Sequence, residues 1–60
     1  MPAWEEAATI FERSGQKLAA LTDTVVDYLL GRGETLETAS ALLTEIADLE
    51  ESAFRVIAAA

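Results

Sequence analysis

A single glycine-containing break, Gly31-Arg32-Gly33, separates two long stretches of helix-favouring residues and limits the folds open to this 60-residue chain. A glycine just past the last periodic residue can adopt the left-handed backbone conformation that ends a helix. Thr35 can cap the following helix through its hydroxyl, and Pro2 suits the first turn of the preceding one. We therefore predict an all-α chain with helices at about 3–30 and 35–58.

The connection between the two predicted helices is short compared with their length. A helix over 3–30 is about 42 Å long at 1.5 Å per residue, whereas the glycine break spans only Gly31 to Gly33. The second helix must therefore run back beside the first, which predicts an antiparallel two-helix hairpin. In such a hairpin residue i faces roughly residue 65 − i, so that Phe11 lies near Ala53 and Phe54.

Apolar residues recur at heptad spacing in both predicted helices and predict the packing surface between them. In the first helix this surface combines two rows with the same spacing: Trp4, Phe11, Leu18 and Val25, and Ala7, Ser14, Leu21 and Tyr28. In the second helix the residues are spaced alternately by three and four: Ala39, Leu42, Ile46, Leu49, Ala53 and Val56. The same register predicts ion pairs across the hairpin, namely Arg13 with Glu51, Lys17 with Asp48 and Arg55 with Glu12.

Ser14-Gly15 is the one point at which the first helix could break, because a glycine inside a helix costs about 1 kcal/mol relative to alanine. The heptad phase continues unchanged across this point, which favours a continuous helix with a small-residue notch where another helix approaches closely. The alternative is a compact three-helix bundle broken at Ser14-Gly15.

More apolar residues are present than one hairpin can bury. Those outside the predicted packing surface are Ile10, Val26, Leu29 and Leu30 in the first helix, and Leu36, Leu43, Phe54 and Ile57 in the second. Small domains have little core of their own, and a chain without cysteine cannot add disulfides. We therefore expect a partner chain to cover these residues.

The simplest partner is a second copy, so that two hairpins form a four-helix bundle as a homodimer or other homo-oligomer, with Trp4 plugging one end. A helical segment of another protein is the other candidate partner. The predicted interface residues are Trp4, Ile10, Phe11, Leu18, Leu21, Val25, Leu29, Leu36, Leu42, Leu43, Ile46, Leu49, Phe54 and Ile57.

The sequence lacks the residues on which most enzyme chemistry depends. Without histidine or cysteine, the chain has neither the usual general base nor a thiol nucleophile, and it lacks the common ligands of zinc and haem. Acidic residues such as Asp23 and Asp27 recur at helical spacing, but we interpret them as solvated surface residues. We predict no catalytic residue, no cofactor and no metal site.

The charge balance also narrows the classes of partner. Eleven acidic against four basic residues give a net charge of −7, which disfavours binding to a nucleic-acid backbone. No apolar run approaches the roughly twenty residues of a membrane span, and Glu5 and Glu6 stand where a signal peptide would be basic. We therefore expect a cytoplasmic protein that contacts neither nucleic acid nor membrane.

These observations favour a non-enzymatic protein-protein interaction module, a self-associating helical hairpin that serves as a docking element, an adaptor or a small structural subunit. The alternative is a small acidic regulator or inhibitor, of a viral or antitoxin-like kind, that binds a basic protein surface.

Overall fold

Two antiparallel helices make up the computed structural model, which describes residues 2–60. Helix α1 comprises Ala3–Leu29 and helix α2 comprises Leu36–Ala59. The two helices pack against each other along their length, so the prediction of an all-α hairpin is confirmed. The observed helix boundaries agree with the predicted ones to within one residue at each end.

Helix α1 runs through Ser14-Gly15 without a break. The three-helix alternative is therefore wrong for this chain. The expected notch is also only partly correct, because Gly15 is exposed and a Cβ atom added there would meet no atom within 4 Å. It is the neighbouring Ser14, only 5% exposed, that provides the small side chain between the helices.

The turn between the helices uses the conformational freedom of glycine. Gly31 and Gly33 have φ values of 70° and 89°, a region in which other L-residues are strained. The Gly31 amide donates to the Tyr28 carbonyl at 3.1 Å, which closes the end of α1. At the start of α2 the Thr35 hydroxyl accepts from the Thr38 amide at 3.3 Å, as the cap prediction requires.

The interhelical core, by which we mean the residues that α1 and α2 bury against each other, is built largely from small side chains. Its buried members are Ala7, Ser14, Thr24, Ala39, Ile46 and Ala53. Half-buried members are Ile10, Leu21, Leu42, Leu49 and Val56. Ile46, at 7% exposed, is therefore the one large aliphatic residue that is buried within the described chain.

The core residues predicted on α2 are confirmed, whereas half of those predicted on α1 are wrong. Trp4, Phe11, Leu18 and Tyr28 are exposed rather than buried against α2. Ile10, which the sequence placed outside the core, lies in it. Trp4 is 67% exposed and so does not plug the end of a single hairpin. Each helix of a hairpin can bury only the side that faces its neighbour, and on α1 the side carrying Ala7 and Ser14 allows a closer approach than the row of large residues.

The predicted ion pairs change partners in the structure. Lys17 pairs across the hairpin with Glu45 at 3.0 Å, one helical turn away from the predicted Asp48. Arg55 pairs within α2, with Glu51 at 2.7 Å. Arg13 forms no ion pair with any residue in the range 2–60. Such exposed pairs contribute little stability, so the register depends on the apolar packing.

Candidate interaction surface

Most of the exposed large side chains lie on one side of the hairpin, and Val26, Tyr28 and Leu30, near the turn, are exposed as well. On α1, Trp4, Phe11 and Leu18 are spaced by seven residues and therefore share a face. On α2, Leu36, Leu43 and Phe54 share a face because their separations are close to whole numbers of helical turns. The rings of Phe11 and Phe54 meet edge to face with centroids 5.4 Å apart, which places both rows on the same side.

We call this surface the apolar face. It comprises the exposed side chains Trp4, Phe11, Leu18, Leu29, Leu36, Leu43 and Phe54, bordered by the half-buried Val25 and Ile57. Several of these side chains expose more than half of their area, with Leu29 at 73%, Trp4 at 67% and Phe54 at 61%. An apolar surface that runs the length of a chain is characteristic of an interface.

Small residues alternate with the large ones along the apolar face. Ala8, Gly15 and Thr22 lie between the large residues of α1, and Ser40 and Ala47 lie between those of α2. The spacings of three and four residues are those of a heptad, in which large side chains pack into gaps on a facing helix. The apolar face therefore has the residue pattern of a surface that receives helices.

Charged residues lie almost entirely away from the apolar face. Within its heptad positions Glu50 alone carries a charge, and it falls between Leu43 and Ile57 at the same spacing of seven. The ion pair of Lys17 with Glu45 lies on the opposite side of the hairpin. Each of these residues is rotated by more than about 90° around its helix axis from the residues of the apolar face. One side of the hairpin is thus apolar and the rest is charged.

The face is large enough for a stable interface. The Cα atoms of the hairpin extend over 45 × 14 × 11 Å. Two helices side by side, each about 10 Å across, give a surface of about 900 Å² along this length. A protein-protein interface of standard size buries about 800 Å² on each partner.

The structure divides the predicted interface residues between two locations. Ile10, Leu21, Leu42, Ile46 and Leu49 lie in the interhelical core of the single chain. Trp4, Phe11, Leu18, Leu29, Leu36, Leu43 and Phe54 lie on the apolar face, and Val25 and Ile57 lie at the border between the two.

Sequence reasoning missed the small members of the face, Ala8, Gly15 and Thr22. Their signal was present as a heptad row that alternates with Trp4 and Phe11. The row could be recognised only after the row containing Ala7 and Ser14 had been assigned to the interhelical core.

The described residues 2–60 form no pocket. They also contain no group of three or more acidic residues placed to hold a metal ion. Neither of the two helices is long and apolar enough to cross a membrane.

Comparison with protein-family models, with curated proteins and with solved structures finds no match for this chain.

Proposed function

We propose that the chain is a non-enzymatic protein-protein interaction module that self-associates through its apolar face. Two hairpins stacked face to face form a four-helix bundle, and the bundle serves as a docking element, an adaptor or a small structural subunit of a larger assembly. The observation that carries this proposal is the row of large apolar side chains left exposed at heptad spacing on one side of both helices.

The thin interhelical core supports a second copy as the occupant of this face. Small domains are marginally stable even when compact, and here Ile46 is the one large aliphatic side chain buried within the hairpin. The radius of gyration is 14.0 Å, whereas a compact chain of this length has about 10 Å. A second hairpin supplies the missing layer without requiring any other protein.

The heptad pattern also supports a helical occupant. Large residues at the apolar face are followed by small ones, so that one hairpin offers both the knobs and the holes that helix packing requires. Because both are on the same chain, a second copy carries the complementary set.

The single tryptophan provides a direct test. Trp4 is 67% exposed in the isolated hairpin and lies on the apolar face, so association shields its indole from water. We expect the emission maximum of a concentrated sample to lie at shorter wavelength than that of a dilute one. The change should occur at chain concentrations near the dissociation constant of the dimer.

A pair of variants separates association from other causes of the shift. Leu43→Asp introduces a charge on the apolar face, and Ala41→Asp introduces the same charge at an exposed position away from it. We expect the concentration dependence to disappear in Leu43→Asp and to persist in Ala41→Asp. An emission maximum that stays at the wavelength of an exposed indole at every concentration of the wild type, in a helical chain, would refute self-association.

A further inference from the structure

We propose that the two hairpins stack with their loops at opposite ends of the bundle, α1 against α1 and α2 against α2. This inference rests on the proposed self-association and specifies its geometry. Two symmetric ways of stacking the apolar faces exist. In the other, both loops lie at the same end, and α1 of each copy covers α2 of the partner copy.

The sequence of the face on α1 is complementary to itself when the helix is reversed. In antiparallel heptad packing, the row of large residues on one helix faces the row of positions that alternates with the large residues on the other helix. Centring α1 on the point between Gln16 and Lys17 gives three pairs that join a large residue to a small one and one pair of two large residues. The resulting pairs are Phe11 with Thr22, Leu18 with Gly15, Val25 with Ala8, and, at the ends, Trp4 with Leu29.

The centre of this pairing coincides with the centre of the helix. Helix α1 comprises Ala3–Leu29, so its midpoint is Gln16. The antiparallel pairing therefore brings the two copies of α1 into contact over nearly their whole length. The exposed Gly15 acquires a function in this arrangement. Its missing side chain, with no atom within 4 Å of a built Cβ, leaves space for Leu18 of the second copy.

The same symmetry axis produces matched pairs on α2. The contact between Phe11 and Phe54 shows that these two residues lie at the same height along the hairpin. The axis, which lies 5.5 residues beyond Phe11 on α1, therefore crosses α2 between Asp48 and Leu49. Residues of α2 that lie at equal distances on either side of this point then face each other. The pairs are Leu43 with Phe54, Ala47 with Glu50, and Ser40 with Ile57, so two of the three again join a small residue to a larger one.

Stacking with both loops at one end distributes side-chain volume unevenly. It would place Phe11 and Phe54 of both copies in a single layer, and Gly15 and Glu50 of both copies in the next. Helices in a bundle keep a nearly constant separation of 8–10 Å and pack without voids. With the loops at opposite ends, Phe11 and Phe54 instead share a layer with Thr22 and Leu43 of the second copy, which evens the volume from layer to layer.

The distance between the two loops tests this arrangement. The chain contains no cysteine, so Glu34→Cys introduces one nitroxide attachment site in the exposed loop. With the loops at opposite ends, the two labels are separated by at least the length of α1, about 40 Å. With the loops at one end, they are separated by no more than the width of a four-helix bundle and its labels, about 30 Å.

A second labelled variant makes the outcomes distinguishable. Gln16→Cys, at the middle of α1 and exposed outside the apolar face, brings two labels to about 20–35 Å in either arrangement. We expect pulsed dipolar spectroscopy to give this distance for Gln16→Cys and a distance above about 40 Å for Glu34→Cys. A short distance for both variants would overturn the proposed orientation and leave self-association intact. No dipolar signal from either variant would overturn self-association itself.

Discussion

The substitution Leu18→Asp is expected to weaken the dimer strongly while leaving the hairpin contacts of α1 with α2 in place. Leu18 is 54% exposed in the single chain and does not belong to the interhelical core. Burying a whole leucine side chain stabilises by about 1.5–3 kcal/mol. The 54% that remains exposed therefore contributes about 0.8–1.6 kcal/mol per copy when covered.

The loss applies to both copies and sums to about 1.6–3.2 kcal/mol for the dimer. It corresponds to a dissociation constant raised about 15- to 200-fold, and burial of the aspartate charge raises it further. Sedimentation equilibrium over a range of loading concentrations measures this change directly.

Ala20→Asp is the matched control, because Ala20 is exposed on the same helix but on the side away from Phe11 and Leu18. It adds the same charge and a similar loss of helix propensity without touching the apolar face. We expect its dissociation constant to stay within a few-fold of the wild type. Equal dissociation constants for the wild type and Leu18→Asp would refute the assignment of Leu18 to the interface.

Four further predictions follow from the same structure. Ala53→Leu should destabilise the hairpin by about 1–3 kcal/mol in thermal unfolding, because Ala53 is 0% exposed in the interhelical core and overpacking forces the helices apart; an unchanged melting temperature would contradict the packing described. Gly33→Ala should cost about 1 kcal/mol in the same assay, since φ is 89° there, whereas a gain would show that the turn has another conformation. Thr35→Ala should lower the free energy of unfolding by about 1 kcal/mol through loss of the cap on α2, and Thr35→Ser, which keeps the hydroxyl, should retain most of it. Raising the salt concentration should tighten association, because each copy carries a net charge of −7 and screening weakens their repulsion; weaker association in salt, measured by light scattering, would point to ion pairs across the interface.

The helices, the turn and the α2 side of the interhelical core could be predicted from the sequence because each depends on local chemistry. Gly31 and Gly33 end α1 and reverse the chain whatever the helices contact, and Thr35 caps α2 through its own hydroxyl. On α2 the residues around Ile46 that are spaced alternately by three and four are all apolar, so their burial followed from periodicity alone.

The packing of α1 could not be predicted in the same way. Its rows containing Ala7 and Phe11 have the same heptad spacing, and only about 40–50° separates them around the helix axis. Periodicity shows that both rows are apolar but does not show which of them faces α2. That choice depends on how closely the helix axes approach, and Ala7 and Ser14 permit a closer approach than Trp4 and Phe11.

The ion pairs were predicted less well because a long exposed side chain can reach several acidic residues, and the nearest one with suitable geometry becomes its partner. Arg55 reaches Glu51 one turn earlier on its own helix, where the i, i+4 geometry is favourable. Lys17 crosses to Glu45 rather than Asp48, a difference of one turn that a flexible side chain covers at little cost.

The measurement that tests the central claim most directly is the mass of the chain in solution. Multi-angle light scattering on a sizing column, with circular dichroism on the same fractions, reports association and helicity together. One chain has a mass of 6.4 kDa. We therefore expect a highly helical species of about twice that mass for a dimer, or a larger whole multiple if bundles stack further. A helical species that keeps the mass of one chain at every concentration would contradict self-association and would leave the apolar face for a different protein.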